Sequence, residues 1–116
     1  MKNAFITGGA GAIGEAICRA LAPYYNVIIG YNSSESKAKA LSEELCCTAV
    51  RVDVADSQSV REASQRLLHD FNHIDLLVNN AGISQIKLFT DITDLEWDKM
   101  VATNLSGAFY LSRAFL

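Results

Sequence analysis

The apolar residues of this chain switch between two spacings. Four short segments read as strands, Asn3 to Thr7, Asn26 to Tyr31, Thr48 to Asp53 and Ile74 to Asn79, the second of them a near-continuous apolar run. Such a run predicts a strand buried on both faces. The segments between them have helical spacing. Ile13, Ala16, Ile17, Ala20 and Leu21 share one face of a helix from about Ala12 to Tyr24, which Pro23 and two tyrosines bring to an end. Ser33 or Ser34 caps a second helix running to about Leu45. Asp56 or Ser57 caps a third, whose face is Val60, Ala63, Leu67 and Phe71. Thr93, with Glu96 three residues later, has the form of a capping box opening a last helix. That helix becomes apolar on nearly all sides between Leu105 and Leu116, which predicts burial in a larger fold or a subunit interface.

Strand and helix alternate with short connections, so the predicted fold class is α/β, a parallel sheet covered on both faces. Residues 1–116 read as one domain or part of one. The last helix stops on apolar residues with no C-cap glycine, so the expectation is a domain truncated after its fourth strand and following helix. The sheet edge and the apolar helix left bare predict poor solubility of the chain alone.

Composition removes several classes of function. The net charge is −3, which offers no electrostatic case for nucleic acid or an anionic membrane. The longest apolar runs, such as Val27-Ile28-Ile29, are too short to span a bilayer. A strand begins at once, without a leader, so the expected location is cytoplasmic. The three cysteines, Cys18, Cys46 and Cys47, have no C-x-x-C spacing and read as free thiols. His69 and His73 are four residues apart but lack the glutamate and third ligand of a metal helix, so no metal is expected.

The candidate chemistry begins at Thr7-Gly8-Gly9-Ala10-Gly11-Ala12-Ile13-Gly14, between the first strand and the first helix. A phosphate is held by backbone N–H groups at a helix N-terminus, where the helix dipole also favours an anion. Glycines allow the close approach and the turn. Gly9, Gly11 and Gly14 satisfy G-x-G-x-x-G, while Gly8, Gly11 and Gly14 satisfy a G-x-x-G-x-x-G reading. With a strand before and a helix after, the segment predicts a dinucleotide pyrophosphate site.

Together with later segments, this turn resembles that of the short-chain dehydrogenase/reductase family. The family's T-G-x-x-x-G-x-G is matched by Thr7, Gly8, Ile13 and Gly14, with Ala12 where the middle glycine is usual. The turn also suits the family's extended branch of sugar-nucleotide epimerases. Asn79-Asn80-Ala81-Gly82 and the N-x-x-G of Asn104-Leu105-Ser106-Gly107 resemble instead the shorter, classical branch. Asp53-Val54 resembles its adenine-binding pair.

The resemblance implies a doubly wound Rossmann sheet of strand order 3-2-1-4. It also implies that Asp53 accepts the adenine amino group and that the Val54 backbone touches the ring. Asn80 and Ala81 would lie by the adenosine ribose, with Gly82 letting the loop pass close. Asn79, taken as buried, would tie the fourth strand to its neighbours. Asn104 would kink the last helix and free a carbonyl for a water in the proton relay.

Cofactor choice rests on the end of the second strand. An NAD-preferring site places a carboxylate there for the ribose 2′-hydroxyl. Tyr31-Asn32-Ser33-Ser34 has none, and its Asn and Ser residues can donate to a phosphate, so NADP is expected over NAD. Gly11 stands where many NADP-dependent members carry a basic residue, and Lys37 is the nearest cation in sequence.

The family's proton-transfer Tyr-x-x-x-Lys pair and upstream Ser are not present, so the chain alone is expected to be inactive. Tyr31 to Lys39 and Ile83 to Leu88 resemble segments of 3-oxoacyl-(acyl-carrier-protein) reductases. The implied activity is reduction of a 3-oxoacyl thioester in fatty acid synthesis, with a dimer or tetramer formed through the last helix. The alternatives are a relative acting on another small alcohol, sugar or ketone, and a non-catalytic nucleotide-binding or interaction module.

Overall fold

A computed structural model describes residues 1–84 and 86–116. Gln85, within the Ile83 to Leu88 stretch, lies outside the described residues. Four parallel strands form one sheet: β1 (Asn3–Ile6), β2 (Asn26–Tyr31), β3 (Thr48–Arg51) and β4 (Leu76–Val78). Their order is β3-β2-β1-β4, as expected. The crossovers are α1 (Ala12–Leu21), α2 (Glu35–Leu45) and α3 (Ser57–Phe71).

The near-continuous apolar run of β2 makes sense because both sheet faces are covered. Alternate strand residues point to opposite faces. Ala4, Ile6, Val27, Ile29 and Tyr31 pack with Cys18 of α1 and with Ala38 and Leu41 of α2. Phe5, Ile28 and Val50 face the other way, against Val60, Ala63 and Leu67 of α3 and against Leu111. Each fully buried aliphatic side chain contributes roughly 1.5–3 kcal/mol.

The boundaries differ from the pattern in ways the ladder explains. β3 ends at Arg51 because its partner β2 ends at Tyr31, the register mate of Arg51. Asp53 therefore leaves the sheet. α1 stops at Leu21, and the N–H groups of Tyr24 and Tyr25 both turn back to the Leu21 carbonyl. Its inward face is also rotated from the predicted one. Gly14 and Cys18 are the buried positions, with Ile17 and Leu21 packed beside them, while Ile13 is 71% exposed. Small residues let α1 lie close to the sheet, which places Ile13 over the strand ends instead of beneath them.

The last helix is not α-helical throughout. A 3-10 turn (Phe89–Asp91) leads to α4 (Asp94–Val101), a π-helical turn (Ala102–Ser106) and α5 (Gly107–Phe115). The Thr93–Glu96 capping box is present with both of its bonds. Within the described residues this segment is covered on one side. Gly107 and Leu111 are buried, whereas Leu105 and Phe109 are exposed. Among the described residues one side of α5 has a neighbour, with Phe115 set edge-on to the Phe5 ring at 5.9 Å.

Asn79 also departs from expectation. It is exposed, and its Nδ2 donates to Ser112 Oγ at 3.3 Å, tying the end of β4 to α5 and not to a strand. No helix among the described residues is long and apolar enough to cross a membrane.

Candidate functional site

The carboxyl ends of the strands in a doubly wound sheet open into a crevice where the strand order reverses, here between β1 and β4. A cleft of about 480 Å³ lies at that end, a size typical of small-molecule sites. Four segments converge on it. The β1–α1 turn supplies Gly8, Ala10, Gly11, Ala12, Ile13 and Gly14, and the end of β2 supplies Tyr31, Asn32, Ser33 and Ser34. The residues after β3 add Asp53 and Val54, and those after β4 add Asn80, Ala81 and Gly82. These are fifteen of the seventeen residues expected from the sequence to hold a dinucleotide.

The other two lie beneath the floor. Gly9 is buried, and its N–H donates to the Gly30 carbonyl at 2.9 Å. Thr7 is 1% exposed and acts as a knot. Its Oγ1 accepts from the N–H groups of Asn80 and Ala81 at 3.1 and 3.0 Å and donates to the Val78 carbonyl at 3.3 Å. Asn80 completes the knot, its Nδ2 donating to the carbonyls of Thr7 and Gly8 at 3.1 Å each. The strand-tying role expected of Asn79 is thus played by its neighbour.

The turn is built so that backbone can come close. Gly8 has φ of 61°, in the left-handed region that favours glycine. At Gly14 a Cβ would sit 2.1 Å from the Gly8 carbonyl oxygen, so the first turn of α1 and the preceding loop touch through backbone alone. Ala12, the departure from the usual triplet, is exposed, and its methyl group meets the cleft and not the loop. Gly11 caps α1 with no side-chain bond. The first N–H groups of a helix have no partner within it. Those of Ala12, Ile13 and Gly14 therefore stand at a positive dipole end beside the cleft, a donor set suited to a pyrophosphate.

Among the described residues, Asp53 is the one charged side chain lining the cleft. Its Oδ1 accepts from the Ala55 N–H at 3.0 Å, and its own N–H donates to Ser59 Oγ at 2.9 Å. The carboxylate is thereby fixed while its second oxygen is left to accept. Val52 and Ile83 also line the cleft and were not expected there, since an isolated aliphatic residue carries no chemical signature.

Asn104 sits in the π turn, opposite the loop after β4. Its Oδ1 accepts from the Ile83 N–H and its Nδ2 donates to the Ile83 carbonyl, both at 2.8 Å. The wider π turn is the local distortion expected at this asparagine. The following glycine has a packing reason, because a Cβ at Gly107 would meet Val54 at 2.9 Å. α5 is thus pressed onto the residues after β3.

Lys37 does not line the cleft. A different cation is bonded to a residue of its lining: Arg51 donates from Nε to the Asn32 carbonyl at 3.2 Å and from Nη2 to Asn32 Oδ1 at 3.3 Å. Sequence reading passed over Arg51 because nothing local marks a strand residue as reaching across to the end of β2.

The remaining reactive groups are elsewhere. Cys18 lies in the core, where burial pushes its thiol up to about 11. His69 and His73 pair with Asp70 and Asp75, and no group of potential metal ligands occurs among the described residues.

A parallel sheet with a glycine turn at the strand-order reversal defines a nucleotide-binding α/β domain. The model of the short chain dehydrogenase family matches residues 2–116, and the chain belongs to that family. It is 37% identical over 114 residues to the 3-oxoacyl-(acyl-carrier-protein) reductase FabG of Staphylococcus aureus, covering 93% of this chain and 46% of that protein. It is 36% identical to the FabG of Escherichia coli, covering 99% of this chain and 48% of that one. Among solved structures, a blue fluorescent protein from a metagenomic library in complex with NADPH superposes with a TM-score of 0.90 at 32% identity, over 97% of this chain and 49% of that one. The chain spans about half the length of the curated relatives it matches.

Proposed function

We propose that the cleft binds NADP(H) and that a protein with the full length of these relatives reduces a 3-oxoacyl thioester to its 3-hydroxy form. The observation that carries this reading is the meeting of four separate segments around the uncapped N-terminus of α1. In this reading the amides of Ala12, Ile13 and Gly14 hold the pyrophosphate. Asp53 and Val54 hold the adenine, and Asn80, Ala81 and Gly82 border its ribose. The end of β2 lacks a carboxylate for a 2′-hydroxyl and presents Asn32, Ser33 and Ser34, which supports NADP over NAD.

When bound, the cofactor supplies the hydride for a ketone carbon. No Tyr-x-x-x-Lys pair occurs in the 116 residues, so the proposed proton transfer does not belong to them. Asn104 acts as a positioning residue, through Ile83 and through the backbone of the π turn. Substrate choice is supported by the identity to the two FabG proteins and by nothing in the cleft itself. Pairing of subunits through α4 and α5 is supported by the exposed Trp97, Leu105 and Phe109. The cytoplasm is the proposed location.

Calorimetric titration of the chain with NADPH and NADH tests the cofactor reading. NADPH should bind, and at least tenfold more tightly than NADH. Absence of binding by either rejects the dinucleotide cleft, and tighter binding of NADH rejects the choice of NADP.

A further inference from the structure

Behind Asn32, a residue of the cleft's lining, lies a guanidinium that neither the glycine turn nor α2 provides. Arg51 ends β3 beside Tyr31, and two of its donors engage Asn32, one on the main-chain carbonyl and one on the side-chain oxygen. Asn32 lines the cleft; Arg51 stands just behind it. Resting on the NADP(H) reading above, we propose that Arg51, acting with Asn32, is the residue that makes this cleft prefer a ribose 2′-phosphate to a 2′-hydroxyl.

Two physical effects lead there. The first is charge. Among the described residues of the lining, Asp53 is the only one with a charged side chain, and it is negative. Gly11 occupies the turn, and Lys39 is engaged with Glu35 at 3.0 Å. Among the described residues, Arg51 is the one Lys or Arg bonded to any residue of the lining. A guanidinium carries five N–H donors in a planar fork, and two are used here. The others remain for a phosphate, whose charge-assisted bonds are about twice as strong as neutral ones.

The second effect is orientation. An arginine has no acceptor, so it can pair only with the oxygen of the Asn32 amide. The Asn32 Nδ2 group has no partner among the described residues and is left as a donor. A free asparagine could offer a ribose hydroxyl an acceptor; one held in this way offers donors, which suit a phosphate. Arg51 therefore acts both directly, through its own charge, and indirectly, by fixing the amide.

Titration of wild type, Arg51→Ala and Arg51→Lys with NADPH and NADH tests the assignment, with a thermal melt confirming that each exposed-site variant folds. Arg51→Ala should weaken NADPH at least tenfold and change NADH less than twofold. Arg51→Lys should fall between, since it restores charge without the fork. Raising salt should erode the NADPH preference of wild type more than that of Arg51→Ala. Unchanged NADPH affinity in Arg51→Ala, or equal weakening of both cofactors, overturns the role of Arg51 while leaving the dinucleotide cleft standing. Failure of wild type to bind either cofactor overturns the cleft reading and this assignment together.

Discussion

The two ends of the sheet use similar residues for opposite purposes. At the amino ends of the strands, Asn3 is buried and its polar groups are consumed within the fold. Its Nδ2 donates to the carbonyls of Phe71 and His73 at 3.3 and 2.9 Å, its Oδ1 accepts from Asn26 at 3.0 Å, and its N–H donates to Asp75 at 2.7 Å. At the carboxyl ends, Asn32, Asn80 and Asp53 also gather, but donors of the α1 turn and one oxygen of Asp53 face open space. Every buried side-chain polar atom among the described residues has a partner. What separates a structural polar cluster from a binding one is therefore where unspent bonding capacity meets a cleft.

The largest break in this contrast comes from Gly14→Ala. Its Cβ would overlap the Gly8 carbonyl, so the turn must move. The expected cost is about 3 kcal/mol in denaturant unfolding, with NADPH binding lost. Retained binding at wild-type affinity would show that the turn is not the pyrophosphate site. Thr7→Val removes the acceptor of two half-buried N–H groups and should cost about 2 kcal/mol. NADPH affinity should also fall, because the floor beneath Asn80 and Ala81 loosens.

Asn3→Ala sharpens the contrast from the other end. It should cost about 1–2 kcal/mol of stability and leave NADPH affinity within twofold. A large affinity loss there would mean the two ends are coupled. Asn104→Ala should cost about 1 kcal/mol, read most directly as faster amide exchange at Ile83.

The smallest effect is a pH dependence at the start of α4. The Lys87 ammonium, then the Thr93 N–H and hydroxyl, hold the Glu96 carboxyl down at about 2, below its ordinary 4.5. A depressed folded-state pKa gives stability that is present above the unfolded value and lost as pH falls through the folded one. The capping box should thus loosen between about 4.5 and 2, and Glu96→Gln should flatten that dependence. A Glu96 side-chain titration midpoint at its ordinary value would contradict the bonded box.

The strands were legible because sheet burial on both faces writes continuous apolar runs into the sequence, as at Val27-Ile28-Ile29. The glycine turn was legible because strand, turn and helix adjoin in the chain. Contacts made over long separations left no local trace. Asn3 meets Asp75 across 72 positions, and Asn104 holds Ile83 across 21. The same blindness hid Arg51, gave Asn79 the tie between strands that Asn80 makes, and placed Ile13 in the core. That last inference counted periodicity without the closeness that Gly14 and Cys18 permit. The apolar residues of α5 are covered here on the side that has a neighbour among the described residues, and composition alone does not say which side that is.

The most direct test is an amide chemical-shift map of the chain with and without NADPH. The account predicts the largest changes at Ala12, Ile13 and Gly14, with further changes at Asn32 to Ser34, Asp53 to Val54 and Asn80 to Gly82, and little change at Asn3 or Asn26. Changes centred on α4 and α5, or on the amino ends of the strands, would contradict it.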